Sequence, residues 1–354
     1  MRILFLAPYP AFESPSQRYR FEHYLPYLKE KGIDYSYKPF LSKSAWAVFF
    51  KPGNTFRKGM GVLVGYGRRF LQLFTLFRYD YIFIHREAAP IGPPVFEWMM
   101  AKLFGKKIIY DFDDAIWIPA TSSYNKAASK LKNFGKVAKI CKWSYKVSVG
   151  NAYLGAYASQ FNKNVVLVPT VVNTEEVHNQ LQNQQTTTPA VGWTGTFSTL
   201  QYLDLILPVL QELQQQYDFI FYVIADKDPA LPLKNYRFIK WSKATEAKDL
   251  LNFHIGLMPL YDNEIAKGKC GFKAIQYMSL GIPAVVSPVG VNSQIVDEGL
   301  NGFLSAAPQE WKQHLEILLK DATLRAAMGT AARKKIEDHY SVTATKDLFV
   351  SLFA

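Results

Sequence analysis

Short β-branched runs alternate along this chain with longer stretches whose apolar residues recur every three or four positions. This is the pattern of a parallel sheet covered by helices on both faces. In the first half it predicts strands near 2–7, 33–38, 80–85, 107–111, 145–149 and 165–168, with helices near 17–31, 55–77, 94–104, 124–139 and 151–161. The run from His178 to Pro189 is polar, low in complexity and nearly free of aliphatic anchors, so it reads as a linker. Beyond it the alternation restarts, with strands expected near 190–195, 218–224, 236–240, 254–259 and 283–287 and helices near 199–216, 246–252, 270–280, 292–298, 308–320 and 322–338. The expected organisation is an α/β domain over 1–177, a linker over 178–189, a second α/β domain over 190–340 and a terminal helix over 341–354. That helix carries apolar Leu348, Val350, Leu352 and Phe353, with which it can pack back on the first domain. Two such halves are expected to form a crevice between the C-terminal edges of their strands, where ligands of these sheets lie.

The length of 354 residues agrees with two domains, and 49% hydrophobic against 20% charged residues excludes wholesale disorder. Cys141 and Cys270 are too few and too far apart for a disulfide framework or a thiolate zinc site, which favours a reducing, cytoplasmic compartment. The first apolar run stops at Pro8-Tyr9-Pro10, unlike an export signal, and no stretch approaches the roughly 20 apolar residues of a membrane span. Charge divides unevenly: residues 1–190 hold 25 Lys and Arg against 12 Asp and Glu, whereas 191–354 hold 16 against 17. The first half therefore carries all of the basicity, which implies an anionic partner. Its cations interleave with aromatics: Trp46, Phe49, Phe50, Lys51, Phe56, Arg57, Lys58, Arg68, Arg69, Phe70, Phe74, Phe77 and Arg78, then Lys126, Lys130, Lys132, Lys136, Lys139, Lys142 and Lys146. Such a surface suits an anionic bilayer, placing the protein peripherally on the inner face of a membrane; a merely solvated basic face is the plainer reading. Nucleic acid is disfavoured, because no RNP, zinc-finger or helix-turn-helix signature accompanies the charge.

Five segments can carry chemistry. Gly192-Trp193-Thr194-Gly195-Thr196-Phe197-Ser198-Thr199 joins a strand to a helix, with Ser198 and Gln201 at capping-box spacing. Glycine lets backbone approach a ligand, and a helix start suits phosphate, although an ordinary tight turn has the same sequence. Lys267-Gly268-Lys269-Cys270-Gly271-Phe272-Lys273 leads into a helix ending at Gly281. If that helix begins early enough, Lys269, Lys273 and Gln276 share one face. Like charges there oppose both each other and the helix macrodipole unless a polyanion binds; a solvated lysine face is the alternative. Tyr110-Asp111-Phe112-Asp113-Asp114 ends an apolar strand, and its carboxylates read as substrate or acceptor contacts, as helix caps, or as a short metal motif. His85-Arg86-Glu87 ends another strand, and Arg18 and Arg20 follow the first, so both segments can meet an anionic acceptor.

Gly192-Trp193-Thr194-Gly195-Thr196, and above all Lys269-Cys270-Gly271-Phe272-Lys273 through Gln276-Tyr277-Met278-Ser279-Leu280-Gly281-Ile282-Pro283 to Gly290, resemble the donor site of retaining glycosyltransferases of the group-1/family-4 type. The segments around Arg18-Tyr19-Arg20, His85-Arg86-Glu87 and Asp111-Phe112-Asp113-Asp114 resemble a bacterial branch of that family. The resemblance spans essentially the whole chain and is strongest over 265–304. It implies the GT-B architecture, two Rossmann-like domains with parallel sheets facing across a central cleft. Two family glutamates are missing, since their positions fall on Gly268 and Gln276. The usual Arg and Lys pair after the second domain's first strand is also absent.

What the resemblance implies is transfer of a sugar from a nucleoside diphosphate sugar to an acceptor hydroxyl with retained configuration, with neither metal nor cofactor. The expected donor site comprises Gly195, Thr196, Lys269, Gly271, Phe272, Lys273, Gln276, Gly290 and Val291, with Lys269 and Lys273 stabilising the departing diphosphate and Asn292 capping a helix. Asp113, then Glu87, are the expected catalytic carboxylates, and Arg18, Arg20, His85, Arg86, Asp111 and Asp114 the acceptor contacts. A glycan or lipid-linked acceptor in cell-surface polysaccharide or glycolipid synthesis fits the basic first half. A non-catalytic nucleotide-sugar-binding protein, a nucleotide-sugar epimerase and a metal-dependent transferase using Asp111 and Asp113 are the competing readings.

Overall fold

The fold is seen in a computed structural model, which describes residues 1–49, 51, 53–119 and 133–354. The chain divides into unit 1, residues 1–170 with 346–354, and unit 2, residues 171–345.

Unit 1 is built on six parallel strands: β1 (Arg2–Ala7), β2 (Asp34–Pro39), β3 (Tyr81–His85), β4 (Lys107–Phe112), β5 (Lys146–Val149) and β6 (Val165–Leu167), in the order β2-β1-β3-β4-β5-β6. Ile3 to Ala7 and Ile82 to Ile84 are buried throughout, as continuous apolar runs covered on both faces require. Strand order reverses at β1 and β3, so the segments after Ala7 and His85 leave a switch point. Register then sets His85 beside Asp111 on β4. The chain returns to this unit at its end: Phe349 stacks on Tyr24 with centroids 4.3 Å apart, and Phe353 packs on Phe5, Tyr81 and Phe83.

Unit 2 has β7 (Ala190–Thr194), β8 (Ile220–Ala225), β9 (Tyr236–Lys240), β10 (Ile255–Met258), β11 (Ala284–Val286) and β12 (Gly302–Leu304), all parallel, in the order β12-β11-β10-β7-β8-β9. Its switch point lies between β7 and β10, which brings Gly195 and Thr196 to the ligand end of the sheet.

Several expectations are corrected. The polar run 178–189 does not hang free between domains: Gln182 donates to the Leu251 and Phe253 carbonyls, Gln184 to that of Gly281, and Arg325 to that of Gln184. The amides anchor a segment whose aliphatic residue, Leu181, is itself exposed, and the boundary falls at 170/171. The helix expected over 17–31 is broken into Pro15–Arg18, a 3-10 turn Glu22–Tyr24 and Leu25–Glu30, where Pro26 opens a new helix. The stretch 199–216 likewise splits into a 3-10 helix Phe197–Leu205 and an α-helix Leu207–Gln216 with Pro208 in its first turn. Of the expected helix 124–139, residues 124–132 lie outside the described residues, and Lys136–Trp143 is helical.

Candidate functional site

The ligand end of unit 2 is assembled from three glycine-bearing turns. After β7, Gly195 donates its N–H to the Ile224 carbonyl at 3.0 Å, and a Cβ there would lie 2.4 Å from the Trp193 ring. Only glycine lets the chain turn so closely over that indole. The next helix is capped by Thr196 with Thr199, not by the expected Ser198 and Gln201. Gly271, at φ +66°, sets the start of the helix Phe272–Ser279. Lys269 therefore precedes the helix, so the expected shared helical face of Lys269, Lys273 and Gln276 does not form. Each lysine lies over an aromatic ring instead: Lys273 Nζ is 5.6 Å from the Trp193 ring and Lys269 Nζ 5.9 Å from the Tyr202 ring. Gly290, at φ +60°, approaches Lys267 so tightly that a Cβ would sit 2.9 Å from its carbonyl oxygen. A Cβ on Gly271 would meet Ile295 at 2.1 Å and Val291 at 3.2 Å, so Gly271, Gly290 and Val291 form one backbone wall. Asn292 does not cap; its amide donates to the Ser287 carbonyl at 3.0 Å and fixes this loop.

Gln276 is buried and donates to Glu246 Oε1 at 3.1 Å. A carboxylate thus stands next to the position where the family's second glutamate is missing, supplied by a helix thirty residues earlier. Nothing local marks Glu246 in the sequence. The same holds for Tyr277, whose hydroxyl accepts the Thr194 N–H at 3.0 Å and donates to the Leu257 carbonyl at 3.3 Å, tying β7 to β10.

At the ligand end of unit 1, Asp111 is 1% exposed and receives Arg20 Nη2 at 2.5 Å, Ser148 Oγ at 2.7 Å and His85 Nδ1 at 2.8 Å. Burial alone would raise its pKa, but the Arg20 charge and the His85 hydrogen bond hold it down at about 2. With Asp111 accepting at Nδ1, His85 presents Nε2, a buried atom with no hydrogen-bond partner among the described residues. Arg86 has φ +59°, and its Nε donates to Asp113 Oδ1 at 2.8 Å. Burial lowers the Arg86 pKa, but Asp113 and Asp114 outweigh it and raise it. Asp114 accepts the Ala115 N–H at 3.0 Å. Glu87 pairs with Lys136 at 2.6 Å, and Lys136 also donates to the Ala89 carbonyl. A shallow groove of about 420 Å³ follows along Pro93, Pro94, Val95, Trp98, Lys139, Lys142 and Trp143.

These contacts change four expectations. Arg18 and Arg20 are not presented on an open loop: both are buried, Arg18 over the Tyr19 ring and Arg20 on Asp111 and the Val168 carbonyl. Asp111 faces inward for the same reason, and Asp113 is an ion-pair partner rather than a helix cap. From the basic surface, Arg69 and Lys136 are removed by burial, whereas Phe50, Lys126, Lys130 and Lys132 lie outside the described residues. No three His, Cys, Asp or Glu side chains among the described residues are grouped to hold a metal ion.

Residues 188–321 match the family model described as glycosyl transferases group 1. Over this segment the chain is similar to the group 1 glycosyltransferases. No curated protein matches the chain in sequence. Solved structures share its fold at low identity. Sucrose-phosphate synthase from Thermosynechococcus elongatus is 13% identical with a TM-score of 0.72, covering 100% of this chain and 98% of that one. HepE of Anabaena, solved in complex with UDP, is 13% identical with a TM-score of 0.64, covering 99% of each chain. The catalytic domain of starch synthase IV from Arabidopsis thaliana, bound to ADP and acarbose, is 11% identical with a TM-score of 0.68, covering 100% and 98%. The whole chain therefore has the two-domain GT-B fold, and the segment that matches the group 1 model contains the three glycine turns, Lys269, Lys273 and the Gln276–Glu246 pair.

Proposed function

We propose that the protein is a retaining glycosyltransferase that takes a sugar from a nucleoside diphosphate sugar without a bound metal. The observation that carries this reading is Lys273 over the Trp193 ring, two residues before the Gly195 turn, with Lys269 over the Tyr202 ring, all within the segment that matches the group 1 model. Lys273 in the first helical turn opposes the macrodipole by about 0.3–1 kcal/mol, and a diphosphate reverses that penalty. HepE and starch synthase IV, whose structures hold UDP and ADP, support a nucleotide as ligand.

In the reaction, the bond from the anomeric carbon to the diphosphate oxygen breaks and a bond to the acceptor hydroxyl oxygen forms on the same face. The acceptor proton passes to the departing phosphate oxygen. Lys269, Lys273 and the Gly195 and Thr196 turn meet the charge that grows on the diphosphate. Phe272, Gly290 and Val291 line the sugar end, and the Gln276–Glu246 pair offers both a donor and an acceptor to ribose hydroxyls.

Unit 1 is the acceptor unit. Asp113, held by Arg86, orients the acceptor or stabilises the cationic sugar, and Glu87, Arg86 and Asp114 surround it. Arg20, Asp111 and Ser148 are positioning residues that aim His85, whose Nε2 takes a ligand hydroxyl. The cations and indoles of the groove at Trp98 and Trp143 favour an anionic, lipid-linked acceptor at a membrane surface, in polysaccharide or glycolipid synthesis. Among the described residues no helix is long and apolar enough to cross a membrane, so the contact is peripheral.

The absent carboxylates at Gly268 and Gln276 favour one second reading, a protein that binds nucleotide sugar without turning it over. Nucleoside diphosphate release from UDP-, GDP-, ADP- and dTDP-sugars, in EDTA and with a glycolipid fraction, separates the two. Acceptor-dependent release with retained anomeric configuration supports the transferase. Donor binding without release in any pairing supports the binding protein, and conversion of donor without acceptor supports an epimerase.

A further inference from the structure

The helix Thr55–Leu73 in unit 1 is mounted the unusual way round. Its packed face is Gly61, Gly65, Arg69 and Leu73, at four-residue spacing. A Cβ on Gly61 would lie 2.9 Å from Ala45, and one on Gly65 2.5 Å from the Phe40 ring. Arg69 is fully buried and donates to the carbonyls of Ala7, Lys38 and Ala88, so the helix is bolted to the ends of the sheet by small residues and one guanidinium. The large apolar residues point the other way. Phe56, Leu63, Phe70, Leu71 and Phe74 are 53–80% exposed on the opposite face, and Phe77 just beyond is 74% exposed. An exposed apolar stripe of this length on a folded unit marks an interaction surface.

Charge selects the occupant. From Tyr35 to Tyr79 the sequence holds eight Lys and Arg and no Asp or Glu. A second copy of this chain would set like charges against each other. An anionic bilayer takes the apolar stripe at the acyl boundary and the flanking Lys51, Arg57, Lys58, Arg68 and Arg78 among its headgroups. At about 1.5 Å per residue the helix is close to 30 Å long, but four cations and four glycines interrupt it, which suits lying on a membrane rather than crossing one. We infer that Thr55–Leu73 is the element that docks this protein on an anionic lipid surface. The inference rests on the proposed membrane-proximal acceptor for its purpose, and it names the residues that make the contact.

The test uses the full chain. Cys141 and Cys270 are buried, so a Leu63→Cys variant carries one accessible thiol for an environment-sensitive NBD label. With vesicles of phosphatidylcholine and phosphatidylglycerol at low salt the label should brighten and shift to the blue; with phosphatidylcholine alone it should not. The Arg57→Glu, Lys58→Glu, Arg68→Glu triple variant should lower vesicle partitioning about tenfold or more. A Phe56→Ser, Phe70→Ser, Phe74→Ser triple variant should abolish the shift while keeping the thermal midpoint. Protein that stays in the supernatant with anionic vesicles overturns the inference, as does a dimer seen by sedimentation that the serine variant abolishes while wild type ignores vesicles. Nucleotide-sugar binding is measured in parallel on vesicle-free protein. Its loss in wild type would sink the transferase reading alone, and its persistence beside failed vesicle binding would sink the docking helix alone.

Discussion

Individual side chains here have roles that burial and partners decide. Lys273→Ala removes a charge from above Trp193 without opening the core. It should cost about 1.5–3 kcal/mol in nucleotide-sugar affinity and roughly 3–4 kcal/mol in the transfer barrier, with the melting temperature little changed. Gly290→Ala should act through the backbone: a left-handed φ and a 2.9 Å approach to the Lys267 oxygen should cost about 1–3 kcal/mol, seen as a lower midpoint together with weaker donor binding. Asp111 controls the acid limb of stability. Its pKa is about 2 in the fold against about 3.9 unfolded, so the unfolded chain binds the proton more readily. The contribution, about 2 kcal/mol, is complete above pH 4 and is lost as pH falls towards 2. Asp111→Asn should flatten that limb in pH-dependent denaturation and cost about 3–5 kcal/mol at neutral pH, because Arg20 is left buried and uncompensated.

At the scale of elements, periodicity carries far and then stops. Eleven strands are legible, most of them as apolar runs such as Ile3–Ala7 and Ile82–Ile84, and the half-exposed edge strand Asp34–Pro39 through its alternating tyrosines. The twelfth, Gly302–Leu304, has only Phe303 and Leu304 as apolar side chains and shows no period. Short helices at Lys43–Phe49 and Glu264–Lys267 escape for the same reason. Phe56 and Phe70 of the helix Thr55–Leu73 are exposed, as their interleaving with cations suggests, because glycines and Arg69 make the packed face instead. The terminal helix follows its pattern in part. Leu352 and Phe353 are buried, whereas Leu348 remains 38% exposed. Phe353→Ala should remove a ring from among Phe5, Tyr81 and Phe83 and destabilise unit 1 by about 3–5 kcal/mol in chemical denaturation.

For the molecule as a whole, charge follows the two units. Unit 1 holds 26 Lys and Arg against 11 Asp and Glu, a net +15, while unit 2 is −3. The basic unit carries the docking helix. The candidate site was legible only where its parts are neighbours in sequence: glycine turns, lysine spacing and the strand-end triplets. The Gln276–Glu246 pair and the Arg20–Asp111–Ser148 cluster join residues 30 to 128 positions apart, and no local pattern brings them together. The central claim is a diphosphate site built on Lys273 that needs no metal. Calorimetric titration with UDP-, GDP-, ADP- and dTDP-sugars, with and without EDTA, on wild type and Lys273→Ala, tests it most directly. The account predicts selective binding of one nucleotide that survives EDTA and weakens at least tenfold in the variant. Binding that requires a metal and is indifferent to Lys273, or no nucleotide binding at all, would contradict it.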